Sequence, residues 1–264
     1  VNLSDLAACG ATPLAFTLAL ALPEARTEWL EPFSQGLLAL ADAHGCELIG
    51  GDTTQGPLNL CITVFGEVPT GRALLRSGAR PGDDIYVSGT LGDASLALQC
   101  LLGKTALPDG MLARARERLE QPTPRVALGL ALRGIATAAA DVSDGLLGDL
   151  GHILTQSQVG ATIDTGIAIT LIASCAYSTG ATGQFGLNIP EATRLQCVLA
   201  GGDDYELVFT APAHRRAAVV AAAEASATPV TRLGRIEAAV GLRLVDGQGQ
   251  PVANTFASFD HFAA

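Results

Sequence analysis

Four short loops of this chain place aspartates where an apolar strand stops or a helix starts. They read NLSD at 2–5, GGDTT at 50–54, DVSDG at 141–145 and GGDD at 201–204. Glycine lets the backbone approach a ligand closely, and clustered carboxylates supply the hard oxygen ligands that Mg²⁺ prefers. The segments between the loops alternate between helical and strand-like patterns, which predicts a mixed fold of helices and strands with candidate metal-binding loops.

Each loop taken alone also has an ordinary structural explanation. NLSD suits a helix N-cap, DVSDG suits a turn followed by a helix start, and GGDTT and GGDD suit loops with Asx turns. Only 16% of the residues are charged, however, so four such loops hold many of the aspartates. An anionic substrate needs divalent cations between its phosphates and these carboxylates. The four loops together therefore indicate a metal-dependent phosphate enzyme.

Composition excludes several other classes of function. The net charge of −10 argues against nucleic-acid binding, which depends on Lys and Arg. Lys104 is the only lysine and no GxxxxGK[ST] motif is present, so Walker-type and protein-kinase sites are excluded. The apolar run at 13–23 is too short for a membrane span. The histidines lie outside GxSxG and HExxH contexts, which argues against a nucleophilic triad.

The six cysteines show no CxxC spacing. Scattered cysteines of this kind are typical of small buried hydrophobic residues in a reducing cytoplasm. The sequence therefore predicts a cytoplasmic protein without disulfides.

Periodicity predicts the elements of the first part of the chain. Apolar residues recur at helical spacing from Thr27, and Gly45 ends the predicted amphipathic helix. A short strand at 46–50, a loop containing GGDTT and a second strand at 58–69 follow.

The second part of the chain begins after an aperiodic stretch. Residues 70–84 are rich in Gly, Arg and Asp, which predicts a linker between a domain at 1–69 and a domain at 85–264. Apolar and polar residues alternate over 205–210, which predicts a half-buried strand directly after GGDD. Residues 166–192 show no clear pattern and are predicted to be irregular.

Seven motifs follow one another along the chain: VNLSDLAACGATP, LIGGDTTQGPL, RSGARPGDDIYVSGTLGDA, QPTPRVALG, DVSDGLLGDLGHIL, GGDDYELVFTAP and the terminal FDHF. In this order they resemble the motifs of the bacterial thiamine-monophosphate kinase family. The family belongs to the aminoimidazole-ribonucleotide-synthetase-like superfamily. The resemblance implies a two-domain fold, with an N-terminal α/β domain that forms a homodimer through its sheet and a C-terminal α+β domain. It also implies that ATP binds in a cleft beside the dimer interface.

The resemblance further implies an activity and its residues. ATP would phosphorylate thiamine monophosphate to thiamine diphosphate by direct transfer with Mg²⁺. The nucleophile is a phosphate oxygen that is already ionised, so positioning and charge neutralisation would suffice. Asp204 is expected in a local turn. The implied ligands are Asp5, Asp52, Asp141 and Asp144 for Mg²⁺; Gly51, Asp52, Arg76 and Ser143 for ATP; and Asp203 and Phe259 for thiamine monophosphate.

One departure from the family pattern leaves alternatives open. Family members carry a segment upstream of NLSD that contains an acidic metal-binding loop and a substrate-contacting stretch. A chain that started at Val1 would lack these parts and is expected to be inactive or poorly folded by itself. The alternatives are another ATP-dependent enzyme of the superfamily, or a non-catalytic nucleotide-binding or dimerising remnant.

Overall fold

The computed structural model describes residues 1–173 and 189–258, which form two β-sheets. The first sheet has three strands in the order β2-β1-β3, with β1 parallel to β2 and antiparallel to β3. A helix joins the two parallel strands, as a parallel pair requires. The elements are α1 Asn2–Ala8, β1 Thr12–Leu22, α2 Thr27–Ala43, β2 Glu47–Gln55 and β3 Asn59–Glu67.

The second sheet has seven strands in the order β10-β9-β6-β8-β4-β7-β5. Its strands are β4 Asp83–Ser88, β5 Ala138–Val142, β6 Gly160–Asp164, β7 Glu206–Pro212, β8 Val230–Glu237, β9 Gly241–Val245 and β10 Pro251–Val252. The helices are α3 Asp93–Leu101, α4 Asp109–Glu120, α5 Val126–Ala131, α6 Leu146–Ser157, α7 Thr165–Ala168, α8 Glu191–Ala200 and α9 Arg216–Ala225. Two 3₁₀ turns lie at Ile169–Leu171 and Ala213–Arg215.

Helices cover both faces of the seven-stranded sheet. On one face, Ile85 and Val87 of β4 belong to a core with α6 and α8. On the other face, Tyr86 and Phe209 stack in a core that includes residues of α1, α5 and α9. Because α1 contacts β5 and β7, the NLSD segment lies beside the second sheet although it precedes the first.

The predicted helix after Thr27 is confirmed, but the predicted GGDTT loop is wrong. Residues 50–54 lie within β2, which pairs in parallel with β1 from Ala15 to Leu22. Thr53 and Thr54 are β-branched and suit this paired strand. The pairing shifts register between Phe16 and Thr17, and Thr17 and Leu18 pair with Gly50 and Gly51. The two glycines therefore lie where the strand is irregular.

Two other predictions about local structure need correction, and one predicted boundary shifts. The strand after GGDD is not half-buried, since Glu206 to Ala211 are buried on both faces between β4 and β5. Residues 166–192 are not wholly irregular, since α7, a 3₁₀ turn and the start of α8 lie in their described parts. β4 begins at Asp83, inside the stretch predicted as a linker.

The cysteines depart in part from their prediction. The five described cysteines are free thiols. Cys46 and Cys197 are buried, but Cys9 and Cys61 are exposed. Cys175 lies outside the described residues. Within the described ranges, no helix combines the length and apolar character needed to cross a membrane.

Candidate active site

Three segments that are distant in sequence meet at one end of β5. The backbone N–H of Asp203 donates to the Ser143 carbonyl at 2.9 Å, and that of Tyr205 donates to the Val142 carbonyl at 2.9 Å. The Ser4 hydroxyl of α1 reaches the Tyr205 carbonyl at 3.5 Å. NLSD, DVSDG and GGDD, which the sequence analysis singled out separately, therefore form one site.

The backbone of the GGDD loop explains its glycines. Asp203 and Tyr205 have φ values of 69° and 51°, in the left-handed region that Asp tolerates better than most residues. A side chain at Gly202 would collide with the Ser143 carbonyl oxygen. Glycine thus permits the close approach of the two loops, and the turn exposes part of Asp203 beside the end of β5.

Asp141 and Asp5 form the acidic centre of this site. Asp141, the fourth residue of β5, is 7% exposed, whereas Asp5 in the first turn of α1 is exposed. Burial raises the pKa of the Asp141 carboxyl, and the negative charge of Asp5 raises it further. The Ser4 hydroxyl and the Arg76 guanidinium act in the opposite direction. A buried carboxylate beside a second carboxylate is a place that favours a cation.

Asp149 is a site residue that the sequence analysis missed. It is 4% exposed on α6, and its Oδ2 accepts the backbone N–H groups of Ser143 and Asp144 at 3.0 and 3.1 Å. It thereby holds the DVSDG loop from inside and positions Asp144. The DVSDGLLGD spacing contains this signal, since a carboxylate in the first turn of a helix can accept from the loop that precedes it.

The pKa of Asp149 predicts a pH-dependent stability. Burial raises it to about 6, and the charges of Asp141 and Asp144 add to the rise. Because the unfolded value is about 4, the folded state binds this proton more tightly, and the stability it contributes is lost as pH rises through that range. Relative to Asp149→Asn, the wild type should lose about 1 kcal/mol of unfolding free energy between about pH 5 and 7.5 in Mg²⁺-free buffer. Denaturant titrations measure this difference, and a constant difference would contradict the prediction.

A cavity of about 490 Å³ opens beside these carboxylates. Its wall joins α1, the segment after β3, β5 and α6, so helices and strands from both parts of the chain contribute to it. Among the described residues that line it, Arg76 is the only lysine or arginine, and it lies close enough to lower the pKa of Asp141. The cavity can therefore bind an anion at Arg76, next to the carboxylates of Asp5 and Asp141. Among the lining residues are Asp5, Cys9, Arg76, Asp141, His152 and Gln156.

The remaining predicted residues are placed differently. Asp52 is exposed on β2 opposite Ala19, and it does not line the cavity. Gly51 approaches the Leu18 carbonyl too closely for any side chain. Asp204, expected in a local turn, is fully buried, and its side chain accepts the Gly92 N–H at 2.8 Å. Phe259 lies outside the described residues.

The donor set fits a Mg²⁺ ion that takes only one or two ligands from the protein. In residues 1–173 and 189–258, no three His, Cys, Asp or Glu side chains form a group that could hold a metal ion. Mg²⁺ in phosphoryl-transfer sites is commonly held by one or two carboxylates, with waters and substrate phosphates completing its shell. Asp141 and Asp5 can supply such a pair, and the protein by itself needs no closed cage.

Comparison with known proteins identifies the family. Residues 1–68 match the family model described as AIR synthase related protein, N-terminal domain, and residues 80–247 match its C-terminal domain. The thiamine-monophosphate kinase of Salmonella typhimurium is 43% identical over an alignment that covers 100% of this chain and 78% of that protein. The chain belongs to the thiamine-monophosphate kinase family of enzymes. The two-domain fold implied by the sequence motifs is thereby confirmed.

Solved structures agree with this family and fold. A crystal structure of thiamine-monophosphate kinase from Stenotrophomonas maltophilia K279a is 47% identical, with a TM-score of 0.82 over 95% of this chain and 77% of that one. The structure of AaThiL complexed with AMPPCP and TMP is 28% identical, with a TM-score of 0.76 over 99% of this chain and 77% of that one. The second of these proteins thus binds an ATP analogue together with TMP.

Proposed function

We propose that this protein uses ATP to phosphorylate thiamine monophosphate, yielding thiamine diphosphate and ADP. The observation that carries the proposal is the convergence of NLSD, DVSDG and GGDD at one end of β5, where Asp5 and Asp141 line a cavity, in a chain of this family. The pairing of AMPPCP and TMP in a 28% identical relative supports the two substrates.

The chemistry needs little from acid or base groups. An ionised oxygen of the thiamine monophosphate phosphate attacks the γ-phosphorus of ATP, a new P–O bond forms, and the bond to the ADP oxygen breaks. No proton has to be removed from the nucleophile, which agrees with a cavity that holds no lysine and one exposed histidine. The protein would act by holding the two phosphates in line and by balancing their charge.

The residues divide between the two substrates and the cation. Asp5, Asp141 and Asp144 would hold Mg²⁺, which neutralises phosphate charge when bound. Arg76 would contact the ATP phosphates from the cavity wall, and Asp149 keeps the Ser143–Asp144 backbone in place for ATP. Asp203 would contact thiamine monophosphate, whose thiazolium ring is cationic and whose aminopyrimidine donates hydrogen bonds.

Asp52, Gly51 and Phe259 remain proposed ligands on the strength of the family motifs alone. The Asp52 side chain is exposed and makes no hydrogen bond or ion pair with another side chain in the described part of the chain. It is therefore available to a ligand that bridges β2 and the cavity. The division of the chain at 70–84 and the cytoplasmic location also remain predictions.

A homodimer through the first sheet is part of the proposal. The faces of β2 and β3 expose large apolar side chains, with Ile49 60% and Phe65 46% accessible. A monomer rarely leaves so many apolar side chains of one sheet in water. The exposed faces therefore support association through this sheet.

The proposed activity is tested on the product of the complete gene, supplied with ATP and thiamine monophosphate, with and without Mg²⁺. We expect thiamine diphosphate and ADP in equal amounts, and loss of both when Mg²⁺ is removed by a chelator. ATP turnover without thiamine diphosphate would instead support another enzyme of the superfamily. Absence of turnover, with or without nucleotide binding, would support the non-catalytic remnant.

A further inference from the structure

A buried ionic cluster lies directly behind the GGDD loop. The carboxylate of Glu206, the first residue of β7, is completely buried. It accepts hydrogen bonds from Arg118 of α4, from Arg125 just before α5, and from the Ser88 hydroxyl of β4 at 2.6 Å. Ser88 in turn accepts the Leu207 N–H at 2.8 Å. The cluster therefore ties the start of β7 to three other elements.

The two arginines hold Glu206 in different ways. Arg125 binds both carboxylate oxygens, Nη2 to Oε1 at 2.5 Å and Nε to Oε2 at 2.7 Å. This two-point pair satisfies the carboxylate charge by itself. Arg118 uses one nitrogen, Nη2, for two acceptors: Glu206 Oε1 at 2.7 Å and the backbone carbonyl of Asp204 at 3.1 Å. Arg118 thus reaches the loop, and Arg125 does not.

Asp204 is the centre of the turn that presents Asp203. Its neighbours on both sides have left-handed backbone angles, so the turn needs external support. Its side chain is fully buried and bound to the Gly92 N–H, and its carbonyl is bound to Arg118. With the side chain and the carbonyl of Asp204 both held, the backbone that carries Asp203 is fixed, and the Tyr205 hydroxyl donates to Asp203 Oδ1 at 3.4 Å.

We propose that Arg118 is a positioning residue for thiamine monophosphate, because it holds the Asp204 carbonyl and so fixes the turn that presents Asp203. This inference rests on the proposed function for its substrate. The claim that Arg118 orders the turn does not depend on the proposed function, since it concerns only the backbone of the turn. The two parts are therefore tested by separate measurements.

The first measurement is hydrogen–deuterium exchange on the full-length protein without substrates. The amides of Asp203 and Tyr205 are bonded to carbonyls of 142 and 143, so their exchange reports the order of the turn. Arg118→Gln should increase exchange in peptides covering 201–206 about tenfold or more. The matched control is Arg125→Gln. It removes one arginine partner of the same Glu206 carboxylate, and the exchange rate of these peptides should stay close to that of the wild type.

The second measurement is steady-state kinetics. Arg118→Gln should raise the KM for thiamine monophosphate about tenfold, as expected when a charged hydrogen bond that orders a binding group is lost. The KM for ATP and kcat should change by less than about twofold, because Arg118 contacts neither the cavity wall nor DVSDG. Arg125→Gln should leave the ratio of the two KM values unchanged.

The outcomes separate the two claims. Equal exchange in the two variants, or equal increases in both KM values, would overturn the positioning role. Exchange that increases only in Arg118→Gln, in a protein that forms no thiamine diphosphate, would retain the structural role and overturn the proposed function. If Arg118→Gln does not fold, Arg118→Lys keeps the charge and one donor, and it should show the same pattern with a smaller factor.

Discussion

Asp141→Asn is expected to lower kcat for thiamine diphosphate formation by about a hundredfold to a thousandfold and to raise thermal stability in Mg²⁺-free buffer. The loss of turnover follows if Asp141 helps to hold the cation that balances phosphate charge. The gain in stability follows because burial and the charge of Asp5 raise the pKa of Asp141, so its ionised form is disfavoured in the folded protein near neutral pH. Asparagine keeps an oxygen acceptor and removes that unfavourable charge.

The two effects are measured by a coupled ADP assay and by thermal unfolding with and without Mg²⁺. In a chain of this size, each kcal/mol of relief raises the melting temperature by about 2–4 °C. Asp42→Asn, an exposed substitution on α2, should leave kcat unchanged. An unchanged kcat in Asp141→Asn would remove Asp141 from the cation site. A lower melting temperature would show that its carboxylate is needed for folding.

Asp203→Asn is expected to raise the KM for thiamine monophosphate at least about tenfold while changing the KM for ATP by less than about twofold. Asp203 lies on the GGDD loop, away from the residues that line the cavity with Arg76. Asparagine adopts left-handed backbone angles as readily as aspartate, so the turn at φ 69° should persist. The substitution thus removes the charge and keeps the backbone.

Two further variants separate the side chain from the backbone at this position. Asp203→Gly keeps the turn and removes the side chain, so it should match Asp203→Asn in kinetics. Asp203→Ala adds strain of about 1–2 kcal/mol in the left-handed region and should also be less stable. Equal increases of both KM values in Asp203→Gly would show that Asp203 supports the structure of the site and does not contact thiamine monophosphate.

Much of the local structure could be predicted from residue patterns. The helix after Thr27 and the strand predicted at 58–69 are where the periodicity placed them. These elements depend on neighbours in sequence, because apolar spacing and glycine stops act within a few residues. GGDTT was misread because its strand exists through pairing with β1, about thirty residues earlier.

Apart from Asp149, whose partners lie five and six positions away, the groups that sequence reasoning missed are held by distant partners. Asp204 binds the Gly92 amide 112 positions away, and Glu206 binds Arg118 and Arg125 across 88 and 81 positions. In sequence, Asp204 resembles a turn residue and Glu206 resembles the polar side of a half-buried strand. Only the placement of β7 between β4 and β5 buries both, and a buried carboxylate then requires a donor from another element.

The sequence by itself determined that carboxylates stand beside glycines and small hydroxyl residues at the ends of elements, and its motifs determined the family. It also excluded a Walker-type phosphate site in these residues, because the only lysine, Lys104, lies outside any GxxxxGK[ST] motif. The tertiary structure decided which of these loops meet. It brought Asp5, Asp141, Asp144 and Asp203 together and left Asp52 on a separate strand, because α1 packs on the second sheet and the backbone of GGDD bonds to that of DVSDG.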